Sequence, residues 1–351
     1  MTWKGWDHVP LDIPGSGCGE GRITVDAITP LIISASRYTD IPAFYGTWFI
    51  ERLGAGYVKW KNPFSGRPVY VSFARTRLFV FWSKNPAPFL PMLDTIDRFG
   101  FSYYFLYTLN DYDAERLEPG VPPIEERIGT FIRLSRRIGK GRVVWRFDPL
   151  ILSDRISVRD LLEKIRRIGE QISPFCERLV FSFISIEKYG RVRRNLKLQG
   201  LSTVREFTDD EITEFCTGLA ELNKKWGLIV TACGELRDLS QYDIGKGQCI
   251  NFGLITQEFR SDRELMEFLH PAGQQTFAGS VADTEEWRWL KDPGQRSSCG
   301  CIASKDIGEY STCMHLCAYC YANISPADVR RRYSRFCLGA ENGIFHEGIT
   351  E

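Results

Sequence analysis

Six short apolar runs recur along the chain, each ending in polar residues: 31–36 (LIISAS), 78–84 (LFVFWSK), 103–110 (YYFLYTLN), 142–148 (RVVWRFD), 179–185 (LVFSFIS) and 228–233 (LIVTAC). They are rich in β-branched and aromatic residues, and several are apolar on both faces, the pattern of strands buried in a parallel sheet. Between most of them the apolar spacing becomes that of a helix. Thr208 and Glu211 form a capping box ahead of Ile212, Phe215, Cys216, Leu219 and Leu222, and Gly227 closes that helix. Ser157 and Asp160 open another, which carries Leu161, Leu162, Ile165 and Ile168. Ile124, Ile128, Phe131, Ile132 and Leu134 line a third, which stops at Gly139. Residues 57–61 and 69–73 flank Asn62, Pro63 and Gly66, and predict a hairpin inserted into the first crossover.

This alternation predicts an α/β fold, a (β/α)6-like partial barrel over residues 29–255 after an N-terminal extension of residues 1–28. The polar ends of the runs put the working face at the C-terminal ends of the strands. They supply Ser34, Ser36 and Arg37, then Lys84 and Asn85, Thr108 and Asn110, Arg146 and Asp148, Ser182 and Ser185, and Glu235. After about residue 255 the alternation stops. Ser261 and Glu264 cap one more helix, and Ser325, Pro326 and Asp328 open a last one. Between them, residues 292–323 are rich in glycine, serine and cysteine with little periodicity, which a packed core does not explain and metal ligation does. Residues 256–351 are therefore read as a C-terminal extension packed on the barrel.

The 351 residues suit one α/β barrel with additions, and 43% hydrophobic residues are enough for a full core. A net charge of +1, from 45 basic and 44 acidic residues, argues against a dedicated nucleic-acid coat and makes nucleic acid the less favoured partner. No apolar run is long enough to span a bilayer, and the first residues, with Trp3, Trp6, Asp7, His8 and Pro10, are no signal peptide. The expectation is a cytoplasmic protein with no membrane partner.

There are eleven cysteines, and five of them lie between Cys299 and Cys320. An odd total, clustered, in a reducing compartment favours metal ligation over a disulfide framework. Cys313, Cys317 and Cys320 have the spacing C-x3-C-x2-C, which can aim three thiolates at one cuboidal cluster. A sealed four-iron cluster takes four thiolates, so three leave one iron open. That iron can be chelated by the amino and carboxylate groups of S-adenosylmethionine, and an electron from the cluster then yields the 5′-deoxyadenosyl radical. The competing reading is zinc, with Cys299 and Cys301 joined by two later cysteines in a structural site.

C-x3-C-x-aromatic-C, with Tyr319 as the aromatic, resembles the cluster loop of the radical S-adenosylmethionine superfamily, whose shared (β/α)6 partial barrel matches the six runs. In most of that superfamily the loop follows the first strand; here it follows all six. The chain also resembles an uncharacterised family called domain of unknown function 1848, in which the loop is C-terminal. That resemblance rests on residues 34–45, 81–86, 145–152 and 299–323. The resemblance to the radical S-adenosylmethionine superfamily implies a 4Fe-4S cluster on Cys313, Cys317 and Cys320, and S-adenosylmethionine as cofactor. It also implies an electron donor such as flavodoxin or ferredoxin, and a small-molecule or nucleotide-like substrate.

Lys84, Arg146, Asp148, Glu235 and Tyr319 are the candidate cofactor-binding residues, with rim salt bridges as the alternative for Arg146, Asp148 and Glu235. Cys233, Cys249, Cys299 and Cys301 could hold a second iron–sulfur cluster or zinc; otherwise Cys233 is a core residue and Cys249 an incidental thiol. Asp40 reads as a helix cap, His315 as a loop residue able to tune the cluster, and Cys216 as core. Cys18, Cys176 and Cys337 read as structural or solvent-facing. The basic stretch 191–194, after the fifth strand, is where a substrate phosphate would bind. The catalytic residues are not assigned. The alternative to an enzyme is a non-catalytic zinc or iron–sulfur module, associated with nucleic acid.

Overall fold

The structure is a computed structural model that describes residues 3–15, 21–270 and 285–351. Its centre is an eight-stranded sheet in which every neighbouring pair is parallel. A second, four-stranded sheet joins a strand pair at the N-terminus, β1 (His8–Pro14) and β2 (Arg22–Ile28), to a hairpin of β4 (Tyr57–Lys61) and β5 (Pro68–Ser72). In the central sheet the six expected strands are neighbours in chain order: β3 (Ile32–Ala35), β6 (Leu78–Ser83), β7 (Ser102–Thr108), β8 (Val143–Leu150), β9 (Arg178–Phe183) and β10 (Ile229–Ala232). All four residues of β3 and all six of β6 are buried, which is why their pattern is apolar on both faces.

Two short strands extend the sheet beyond the six expected. β11 (Ile244–Lys246) pairs with β10 at one edge, and β12 (Lys305–Asp306) pairs with β3 at the other. The edges do not pair with each other, so the sheet is open. The crossover helices pack on one face. Trp48, Ile96, Phe131, Leu161, Ile165 and Phe215 share one core with Ile33, Phe79, Phe105, Trp145 and Phe181. Ile32, Val80, Tyr104 and Leu106 alternate to the other face, where Ile250, Leu254, Leu265, Leu290 and Ile302 cover them. Each fully buried side chain of this size contributes about 1.5–3 kcal/mol.

The local signals account for most boundaries. Thr208 and Glu211 form the capping box of the helix Asp209–Trp226, which ends on left-handed Gly227 at φ 64°. Ser157 and Asp160 do the same for Val158–Ile172, and Gly139 at φ 94° ends Ile124–Ile138. Ser325 caps the last helix, Pro326–Glu341. One boundary differs: Asp262, not Ser261, caps Arg263–Leu269, its carboxylate accepting from the Leu265 N–H. The hairpin forms as its turn residues suggest, and its β5 also pairs with β2, within the stretch read as an N-terminal extension; there Val9, Leu11 and Ile13 of β1 and Ile23, Val25 and Ala27 of β2 alternate with polar or exposed neighbours. Among the described residues no helix is long and apolar enough to cross a membrane.

Candidate functional site

The cysteine-rich segment reaches the strand ends by way of β12. Lys305 and Asp306 stand opposite Ile33 and Ser34, and the Ile307 N–H then donates to the Ser34 carbonyl at 3.1 Å. Beyond the end of β3 the Glu309 N–H donates to Thr39 Oγ1 at 3.0 Å, and Tyr45 donates its hydroxyl to the Thr312 carbonyl at 2.8 Å. The loop that begins at Cys313 therefore springs from beside the C-terminal end of β3, although some 270 residues separate the two in sequence.

Its backbone is then clamped from several sides. His315 is buried, with Nε2 2.7 Å from Asp40 Oδ2 and Nδ1 3.0 Å from the Gly120 carbonyl, so both ring nitrogens face oxygen acceptors. Asp40 does two jobs: Oδ1 accepts from the Ala43 N–H as a helix cap, and Oδ2 also accepts from the Lys84 N–H at 2.7 Å. The Gly120 N–H donates to the His315 carbonyl and the Ala318 N–H to that of Leu117. A Cβ on Gly120 would lie 2.3 Å from the Met314 carbonyl oxygen, so only glycine admits this approach. On the far side Asn195 donates to the Cys320 carbonyl at 2.8 Å and Asn323 to that of Cys313 at 2.9 Å. Arg191 donates to the Tyr321 carbonyl at 2.9 Å.

Behind the loop lies a buried polar network centred on Glu118. Its carboxylate accepts from Lys84 Nζ at 2.7 Å, Asn110 Nδ2 at 2.9 Å and the Tyr319 hydroxyl, and Arg127 lies 3.8 Å away. Burial pushes the Glu118 carboxyl up, but Lys84 and Arg127 outweigh it and hold the group down to about 2. Burial opposes the charge on Lys84, and Glu118 more than restores it. Charges of opposite sign thus keep each other ionised in a place where either alone would be costly.

A cavity of roughly 580 Å³ opens over the strand ends, within the size range of small-molecule sites. Cys313, Cys317 and Cys320 line it, and so do Cys233, Cys249, Cys299 and Cys301. Burial pushes the Cys313 thiol up to about 12 and raises Cys317 and Cys320 as well. In the second group the Sγ atoms of Cys233 and Cys249 are 3.7 Å apart. The N–H groups of Cys249 and Ile250 point at Cys301 Sγ from 3.2 and 3.4 Å. Among the described residues no three His, Cys, Asp or Glu side chains already converge around one point as a single-ion shell.

A family model described as a domain of unknown function (DUF1848) matches residues 32–322. The chain belongs to this family. No curated protein and no solved structure matches it. The DUF1848 region takes in the whole central sheet from β3 to β12 and the cysteine loop, and leaves out the β1–β2 pair and the last helix.

All five residues singled out for cofactor binding line the cavity. Lys84 and Tyr319 are engaged with Glu118 and with each other at 3.0 Å. Arg146 pairs with Asp148, which also receives the Ser182 hydroxyl, while Arg146 Nε has no hydrogen-bond partner. Glu235 makes an ion pair with Arg237 at 3.1 Å, the rim bridge considered for it. Cys216 and Cys176 are core residues whose thiols burial pushes up to about 12. Cys337 is half-buried on the last helix, and Cys18 lies outside the described residues.

Within the basic stretch 191–194, Arg191 serves the loop backbone, while Arg193 and Arg194 are exposed. Asn110, Glu118, Arg127, Asn195 and Arg37 were not singled out as a supporting shell. Glu118 lies in the aperiodic stretch 109–123 and is marked only by its burial; Asn195 is one half-buried polar residue on a basic helix, marked only by its bonds to the loop carbonyls.

Proposed function

We propose that Cys313, Cys317 and Cys320 hold a four-iron cluster and that the chain is a radical S-adenosylmethionine enzyme. The observation that carries this reading is the position of the loop. β12 runs parallel to β3 and delivers the loop beside the C-terminal end of β3, where a loop following the first strand would sit. The displacement in sequence is thereby reconciled with the architecture of a (β/α)6 partial barrel. The donor set fits the group: three thiols face one cavity from a loop whose carbonyls are tied by Asn195, Asn323 and Gly120. When bound, the cluster supplies one electron to S-adenosylmethionine and so starts radical chemistry.

The chain's own residues hold and shield. His315, gripped by Asp40 and the Gly120 carbonyl, fixes the loop's height above the sheet. Arg146, paired with Asp148 on the cavity lining, is a cation that an anionic group of cofactor or substrate would meet there. Phe183, Phe207 and Ile184 supply apolar lining that limits water. On this reading the substrate is a small molecule or a nucleotide-like one, and the electron comes from a donor such as flavodoxin or ferredoxin.

The test is composition and binding. Chain reconstituted without oxygen should carry about four iron and four sulfide on the loop and bind S-adenosylmethionine in equilibrium dialysis. Cys313→Ser should lose both properties. Retention of cofactor binding without iron, or absence of sulfide in the wild type, would overturn the reading.

A further inference from the structure

The geometry points to a second metal site, on Cys233, Cys249, Cys299 and Cys301, built for one tetrahedral ion of the zinc class rather than for another cluster. It goes beyond the proposed function and stands without it. The thiols come from three places: the end of β10, the turn after β11, and the segment before β12. Nothing in local structure requires them to meet, yet all four line one cavity: the Sγ atoms of Cys233 and Cys249 are 3.7 Å apart, and the N–H of Cys249 donates to Cys301 Sγ at 3.2 Å. A tetrahedron with metal–sulfur bonds of about 2.3 Å has sulfurs roughly 3.8 Å apart. Cys233 and Cys249 stand at 3.7 Å. A cuboidal cluster, with an iron behind each thiolate, needs its sulfurs spread much wider.

The surroundings fit bound thiolates. Two backbone N–H groups aim at Cys301 Sγ, which favours sulfur carrying negative charge. Four thiolates around a divalent ion carry excess negative charge, and two largely buried guanidiniums flank them: Arg37 beside Cys301 and Cys249, Arg146 beside Cys249 and Cys233. The backbone is shaped for the approach, since a Cβ on Gly247 would lie 2.6 Å from Cys233 Cα. Binding gathers the four thiols into a closed shell by rotation about χ1 and releases the thiol protons. The ion would tie the β11 edge to the segment that leads into β12, and so join the two ends of the open sheet across the cavity.

The experiment uses the full chain with Cys313, Cys317 and Cys320 all changed to Ser, expressed with zinc and purified without oxygen; Cys317→Ser alone replaces it if the triple variant does not fold. Zinc, iron and sulfide are counted per chain, and Co2+ is exchanged in and read by its visible absorption. The expected result is about one zinc or cobalt per chain, with tetrahedral thiolate bands and no sulfide. Cys301→Ser should lower retention against a chelator at least tenfold, as should Cys299→Ser, which keeps the test open if Cys301→Ser does not fold. Iron with sulfide in the triple variant would overturn the proposal in favour of a second cluster. A metal-free chain with reactive thiols, or a Cys233–Cys249 disulfide, would overturn it outright. Iron and sulfide in the wild type report separately on the loop, so the two readings can fail independently.

Discussion

The two groups of cysteines share a cavity but are assembled in opposite ways. Cys313, Cys317 and Cys320 lie within one loop, and they influence one another through charge. The protein controls them by gripping the loop's carbonyls and His315. Cys233, Cys249, Cys299 and Cys301 come from segments far apart in sequence, and the sulfurs of Cys233 and Cys249 stand 3.7 Å apart. There the strand ends and turns act directly, with Gly247 pressed against Cys233. A loop held by its backbone can present thiols to a large group without collapsing on them; converging segments make a tight shell for a small one. The difference between the groups is thus one of scale, set by whether the scaffold grips main chain or brings sulfur to sulfur.

Several changes would break or sharpen this contrast. The largest effect is expected from Glu118→Gln. It leaves Lys84 buried without its carboxylate partner, while Arg127 keeps Asp113 at 3.1 Å, a loss of about 3–5 kcal/mol in denaturant unfolding, and should loosen the Cys313–Cys320 loop while sparing metal on the four-thiol group. Next is the pair of glycines. Gly120→Ala should cost about 1–3 kcal/mol by overpacking and reduce iron retained by the loop without reducing zinc. Gly247→Ala should do the reverse, and equal losses of both metals from either variant would show that the two groups are not separately supported.

Acid should act on the loop's support in a defined window. The Glu118 carboxyl is held down to about 2 in the folded chain, against an ordinary value of 4.5. The unfolded chain therefore takes up the proton first as pH falls. The stability from this group is fully present above about pH 4.5 and is lost as pH falls toward 2. Unfolding measured from pH 5 downward should be steeper for the wild type than for Glu118→Gln. The smallest effect is expected at the rim, where Arg237→Ala breaks the partly exposed pair with Glu235 at no more than about 1 kcal/mol and should leave both metals in place.

The same contrast explains what could be read in the sequence. The six central strands were legible because burial on both faces makes continuous apolar runs, and the long helices because capping boxes at Ser157 and Thr208 mark their starts. β11 and β12 are three and two residues long, too short to leave a pattern, and they decide where the cysteine segments arrive. The C-x3-C-x2-C triplet was legible because one loop holds it. The four-thiol group could be suspected from Cys233 at a strand end and the Cys299–Cys301 spacing, but its convergence is a tertiary fact. Glu118 and Asn195 left no trace, and Asn110 showed only as a polar residue ending the third run, since one polar residue acquires meaning only when the chain sets it against a charge or a carbonyl. Asp40 read as a cap, and it is one; its second oxygen, which holds His315 and the Lys84 N–H, had no local signature.

The central claim is that the loop supports radical chemistry on S-adenosylmethionine. It is tested most directly by reconstituting the chain with iron and sulfide without oxygen, adding dithionite and S-adenosylmethionine, and measuring 5′-deoxyadenosine, with Cys317→Ala as the control. The account predicts that 5′-deoxyadenosine accumulates with the wild type and not with the variant. Equal amounts from both, or a wild type that loads zinc on Cys313, Cys317 and Cys320 and forms none, would contradict it.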